Sequence, residues 1–165
     1  MAFELVIEDG SGVTGANSYV TISEVDDYCE AMNYTSWESA TDAEKSSAIY
    51  RSMQFFESLK YLGVKTDYTN PLEFPRQYIY LDTGDEWPDD EIPQKLKNAV
   101  CEGAYLEYSS SGSLFVSGGD VKRVKRKKID VLETEYFLSR ESVPYPKLKK
   151  MVNEFIKFGL EAVRT

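Results

Sequence analysis

Three groups of residues in this 165-residue chain have types and spacings that could do chemistry on a phosphate, a nucleotide or a cation. The first is VKRVKRKKIDVLETEYF, Val121–Phe137, where Lys122, Arg123, Lys125, Arg126, Lys127 and Lys128 place six cations within eight residues. Such a strip could neutralise several phosphates and bind with steep salt dependence. Single-strand binders also interleave aromatic rings for base stacking, and Val121–Lys128 has none. The strip could instead meet an acidic surface of a second copy, or be an exposed edge whose lysines oppose aggregation. On the residues alone all three readings stay open.

The second group is Gly10-Ser-Gly12-Val-Thr-Gly15, a formal G-x-G-x-x-G after a strand-like stretch. A dinucleotide loop opens directly into a helix whose N-terminus meets the pyrophosphate. Here the next helix signal waits until Ser23, and Glu8 and Asp9 would repel phosphate, so the motif reads as a tight turn using glycine at positive φ. The third group is Asp82, Asp85, Glu86, Asp89, Asp90 and Glu91. It lacks the D-x-[DN]-x-[DN]-G order of a calcium loop, and reads as a solvated loop feeding carboxylates to a helix N-terminus. The chain has no His, which removes the usual general base and the commonest metal ligand together. Cys29 and Cys101 are two and far apart, so neither a disulfide framework nor a zinc site is expected. No catalytic residue, cofactor site or metal site is predicted.

The elements that must position these residues follow from periodicity. Phe3–Glu8 is a strand candidate, Asp9–Asn17 a glycine-rich turn, and Ser18–Ile22 a second extended piece. Ser23 reads as the N-cap of a helix running to about Asn33, with Glu24, Asp26 and Asp27 in its first turn. Thr41-Asp-Ala-Glu44 is a capping box, opening a helix over Asp42–Leu62 with Ile49, Met53, Phe56 and Leu59 on one face and Gly63 as its stop. Asp67–Pro93 is an ordered loop, since Leu72, Phe74, Tyr78, Ile79, Tyr80, Leu81 and Trp87 can bury. Pro93 starts a third helix with Leu96, Val100, Gly103 and Leu106 as its stripe. Ser109–Gly119 is turn-like, and Ile129–Tyr136 alternates with period two. A last helix covers Pro146–Val163.

The predicted fold is therefore mainly α: a small bundle of three to four helices with a long β-strand or hairpin arm. It forms one domain over 1–165, with an N-terminal strand and turn at 1–22, a helical core at 23–110 containing the loop 63–92, an arm at 120–138 and a C-terminal helix at 146–164. A lone strand leaves backbone groups unpaired. Its partner must come from Ser109–Gly119 or from a neighbouring subunit, with Ile129, Val131, Leu132 and Tyr136 as the pairing residues. Charge is divided along the chain: residues 1–50 carry a net −9, residues 51–120 a net −6 and residues 121–165 a net +6. An acidic front and basic rear suit a polyanion or head-to-tail copies. No apolar run nears the ~20 residues of a membrane span, and the N-terminus has no basic, apolar leader pattern. A reduced, cytoplasmic site of synthesis is the expectation.

The pieces VIEDGSGVTGANSYVTISEVDDYCEAMN, FPR at Phe74–Arg76, IPQKLKNAVCEGAYLEY and VKRVKRKKIDVLETEY occur in that order. Together they resemble the small head–tail connector (adaptor, head-completion) proteins of long-tailed bacteriophages and prophages, a group partly labelled DnaT-like single-stranded-DNA-binding. The resemblance covers about Leu5 to Lys157, its most specific piece is the N-terminal EDG-G-x-x-GANSY, and its one departure is an extended final helix. It implies a structural virion protein at the head–tail junction, made in the bacterial host. Such proteins form a ring, typically twelvefold, that docks on the portal, extends the DNA channel through which ejection proceeds and receives the tail. The implied partners are the chain itself, the portal, a tail terminator or head-closure protein, and DNA passing through the channel, with no membrane. Lys122, Arg123, Lys125, Arg126, Lys127 and Lys128 would supply assembly or DNA contacts. Single-stranded-DNA binding is the alternative.

Overall fold

The computed structural model describes residues 3–110, 114, 126–129, 132–135 and 145–156. It is mainly helical, with a small antiparallel hairpin. Helices α1 (Ile22–Ala31) and α2 (Asp42–Glu57) are joined through a 3₁₀ turn at Thr35–Ser39, α2 and α3 (Gln94–Ser110) by one long loop, and α4 (Pro146–Met151) follows the hairpin. That loop carries a two-residue ribbon, β1 (Val64–Lys65) against β2 (Arg76–Gln77). The hairpin pairs β3 (Arg126–Ile129) with β4 (Leu132–Glu135).

Helix α3 is the hub, with α1, α2 and α4 packed against it. Val25 and Cys29 of α1, Ile49, Met53 and Phe56 of α2, Leu96, Val100 and Ala104 of α3, and Leu148 of α4 share one buried core. Each such apolar side chain contributes about 1.5–3 kcal/mol when withdrawn from water. Helices α2 and α3 pack tightly at Gly103. A β-carbon there would lie 2.3 Å from Ser52 Oγ. Ser52 Oγ uses that closeness to donate to Val100 O across the helices, at 2.9 Å.

Both long N-terminal caps are reciprocal boxes. Thr41 and Glu44 cap α2 as the sequence predicts. The cap of α1 is Thr21 with Glu24, two residues before the predicted Ser23. Two bonds from one Thr-x-x-Glu pair satisfy two orphan amide groups, whereas the acid three residues after Ser23, Asp26, is held by Lys45 and Trp37. Helix α1 ends at Ala31 and not at Asn33, which adopts a left-handed φ of 57°. Helix α2 stops at Glu57, short of the predicted Leu62. Its apolar spacing continues, but Ser58 Oγ folds back onto Phe55 O at 2.6 Å, and the Leu62 amide pairs with Phe155 O at 2.8 Å. The last helix also closes early. Helix α4 ends at Met151, a 3₁₀ turn over Asn153–Phe155 follows, and the predicted continuation to Val163 beyond residue 156 lies outside the described residues.

The strand candidates near the N-terminus reduce to one parallel bridge, Ile7 to Ser18, flanked by bonds from the Glu8, Asn17 and Ser18 amides. The long loop buries Leu72, Phe74 and Ile79 as predicted, half-buries Leu81 and Trp87, and leaves Tyr78 and Tyr80 exposed. No described helix is long and apolar enough to cross a membrane.

Candidate functional site

The glycine-rich turn is an anion cradle already filled from within. Glu8 is fully buried. Its Oε1 accepts from the amides of Gly10 and Gly12, both at 2.9 Å. Its Oε2 accepts from the Val13 amide at 2.8 Å and from Asn70 Nδ2 at 3.0 Å. Gly10 and Gly12 hold φ of 109° and 80°, which turns successive amides toward one point. The motif therefore has the geometry of a phosphate nest, with the chain's own carboxylate where a phosphate would sit. The sequence reading of a tight turn holds, but Glu8 is its central acceptor and not merely a repelling neighbour.

The rest of the same motif is equally internal. Asn17 Oδ1 accepts from the Val6 amide at 3.0 Å, and Asn17 Nδ2 donates to Glu4 O at 3.1 Å. Tyr19 is buried; its hydroxyl donates to Glu57 Oε1 at 2.6 Å and accepts from the Phe74 amide at 3.0 Å. Glu57 Oε2 also accepts from the Glu73 amide at 2.7 Å. Burial outweighs these bonds and pushes the Glu57 carboxyl up to about 7. Burial, then the neighbouring Glu57, raises the Tyr19 phenol well above its ordinary value.

The Phe74–Arg76 piece is a brace. Phe74 meets Tyr19, Tyr61 and Phe155 edge to face. Arg76 is buried, and its guanidinium donates to Leu62 O at 2.8 Å and Gly63 O at 3.0 Å and pairs with the Glu73 carboxylate. On α3, buried Glu102 accepts from Tyr28 at 3.0 Å, from Tyr34 and from Lys147, tying α1 and α4 to the hub. Buried Glu107 pairs with Arg51 of α2 at 3.1 Å. Burial raises the thiols of Cys29 and Cys101 to about 12. Sequence reasoning missed Glu57, Asn70, Glu102 and Glu107. For Glu57, Glu102 and Glu107 the available signal was an acid set among the apolar positions of its helix, while Asn70, in the loop, gave none.

The acidic loop differs. Its carboxylates are exposed, and among the described residues no three His, Cys, Asp or Glu gather as a metal site would require. Asp85 accepts from the Thr83 hydroxyl at 2.9 Å, and Glu86 accepts from the Tyr78 amide at 3.1 Å. Around it stand the three most exposed aromatics of the described surface: Tyr68 at 91%, Tyr78 at 58% and Tyr80 at 58%.

The basic segment is described in part. Arg126, Lys127, Lys128 and Ile129 form β3 and Leu132 begins β4, while Lys122, Arg123, Lys125, Val131 and Tyr136 lie outside the described residues. The register sets Arg126 opposite Glu135, Lys127 opposite Thr134, Lys128 opposite Glu133 and Ile129 opposite Leu132. The period-two stretch is thus the hairpin of the two predicted forms. Among the described residues the segment pairs with itself, β3 against β4, and most of Ser109–Gly119 lies outside the described residues. A short connection costs little closure entropy. The argument that an unpaired strand demands a second subunit therefore no longer applies to Ile129 and Leu132.

The fold and its polar sites define a small, mainly helical protein whose buried acids serve as internal brackets. A family model described as "Putative DnaT-like ssDNA binding protein" matches residues 3–165. The chain belongs to that family. The match carries the single-stranded-DNA name and not the head–tail connector name that the sequence resemblance implies. No curated protein and no solved structure matches the chain.

Proposed function

We propose that this protein is a structural subunit of a phage or prophage head–tail connector, a virion ring that docks on the portal, continues the DNA channel and receives the tail. The observation that carries the reading is the segregation of its surface chemistry. Tyr68, Tyr78 and Tyr80 stand among carboxylates in the loop, while the dense cations lie more than thirty residues further on. Single-strand binding needs rings and cations in one groove, so that each base stacks while its phosphate is neutralised. Here rings sit where a polyanion is repelled. Opposite charges on separate parts of one chain suit heterologous contacts that close into a ring. The role is non-catalytic, and the dense internal bracketing gives each copy a fixed shape to assemble.

The family description favours a second reading, single-stranded-DNA binding through Lys122–Lys128. Negative-stain microscopy of the protein with its portal, beside oligonucleotide binding at moderate salt, separates the two. The connector reading predicts rings and weak, salt-abolished oligonucleotide binding. Tight oligonucleotide binding by a protein that forms no ring with its portal would overturn it.

A further inference from the structure

We infer that the rim built from residues 64–68, 76–80 and 85–90 is the surface on which the basic segment of a second copy docks, an inference that deepens the connector reading and rests on it. The rim is one continuous piece. Val64 pairs with Gln77 and Lys65 with Arg76. The Thr66 amide reaches Pro75 O at 3.1 Å, and Thr66 Oγ1 reaches Asp89 O at 3.1 Å. Tyr80 bridges Glu86, and the Trp87 amide donates to Ile79 O at 2.8 Å.

Its outer side is apolar and anionic together. Val64, Tyr68, Tyr78 and Tyr80 are each at least half exposed. Tyr78 holds a φ of 62°, unusual for a bulky residue. Exposed aromatic clusters of this kind mark protein contacts more often than plain solvent surface. The charge names the occupant. Residues 64–91 hold eight acids against two bases. Both bases are spoken for: Arg76 is buried in its brace, and Lys65 Nζ donates to Asn70 O. Among the described residues, none of Asp67, Asp82, Asp85, Glu86, Asp89, Asp90 and Glu91 takes part in an ion pair.

The more acidic front, residues 1–50, is a poorer candidate. Four of its ten acids are engaged, since Glu8 is inside the cradle, Glu24 and Glu44 cap helices, and Asp26 is held by Lys45 and Trp37, and among its described residues no aromatic is as much as half exposed to stand beside the rest. The chain's own complement to an unneutralised acidic rim is Lys122–Lys128, where six of seven residues are cationic. A second copy can bring that segment to the rim while offering its own rim to a third, which is the contact a ring repeats.

The test uses the full chain in sedimentation velocity at moderate salt. One variant reverses the rim (Asp85→Lys, Asp89→Lys, Asp90→Lys), taking its three stretches from five acids and two bases to two acids and five bases, and another reverses the segment (Lys122→Glu, Arg123→Glu, Lys125→Glu, Lys127→Glu), taking it from six bases to two bases and four acids. The rim substitutions sit on exposed loop positions, and far-UV circular dichroism checks that each variant folds. Each variant alone should self-associate about tenfold more weakly than wild type, or less. An equimolar mixture should recover wild-type assembly, because every junction of an alternating array again joins opposite charges. Tyr68→Ser with Tyr80→Ser should weaken assembly with no change of charge. Wild-type assembly that survives both reversals, or singly weakened variants that fail to rescue one another, would overturn this docking surface and leave the connector reading standing. A wild-type chain that stays monomeric to millimolar concentration would overturn the docking surface, and one that also forms no ring with its portal would overturn both.

Discussion

Removing the Glu8 carboxylate should unlock the N-terminal third of the protein. Glu8→Ala strands four donors: the amides of Gly10, Gly12 and Val13, and Asn70 Nδ2. The Gly10 and Asn70 contacts are buried, while those of Gly12 and Val13 are partly buried and can recover water. A buried donor left without an acceptor costs about 1–3 kcal/mol, so two full costs and two reduced ones give about 3–5 kcal/mol. That is a large share of the ~5–15 kcal/mol that holds a domain folded. At about 2–4 °C per kcal/mol for a chain of this size, the midpoint should fall by about 6–20 °C. Glu8→Gln keeps one acceptor oxygen but turns an NH₂ toward donors, and should cost about 2–3 kcal/mol. Asn70→Ala removes the donor to Glu8 and also the acceptor of the Leu72 amide, and a double-mutant cycle with Glu8→Ala isolates the shared bond, returning a coupling of at least ~1 kcal/mol. Urea denaturation monitored by tryptophan fluorescence measures all of these. A Glu8→Ala cost below about 1 kcal/mol, as for an ordinary surface change, would refute the cradle as a stabilising device.

Three further outcomes follow from the same physics. Glu57 holds its proton to about pH 7 when folded but releases it near the ordinary value of 4.5 when unfolded. Stability should therefore fall as pH rises from about 4.5 through 7, by on the order of 3 kcal/mol, and Glu57→Gln should flatten the slope seen in urea titrations across that range. Gly10→Ala should be destabilising by several kcal/mol in the same assay, since its β-carbon would overlap Asp90 O at a φ of 109°. Thr21→Ala should cost about 1 kcal/mol by losing the α1 cap, read as a shift in the thermal midpoint.

What could be read from the sequence was what is local. The Thr41–Glu44 box, the apolar stripes of α2 and α3 and the ordered aromatic loop each depend on neighbours a few residues away. The early stop of α2 was not legible, because Leu62 is claimed by Phe155, far along the chain. The cradle was half legible: glycines signalled the turn, but the acceptor role of Glu8 needs Asn70 to be brought alongside. The hairpin lacked a glycine or asparagine turn signal, so its self-pairing was hidden in what read as one alternating run. The charge division was fully visible. Which acids remain free was not, because capping and ion pairing consume several carboxylates that look alike in sequence.

The account's central claim is that the separated acidic and basic surfaces serve assembly and not nucleic-acid capture. Sedimentation velocity of the full chain with a fluorescent single-stranded oligonucleotide, at moderate salt and rising protein concentration, tests it most directly. The protein boundary should advance to the mass of a closed ring while the oligonucleotide sediments alone. An oligonucleotide that travels with a monomer-sized protein, at every concentration, would contradict it.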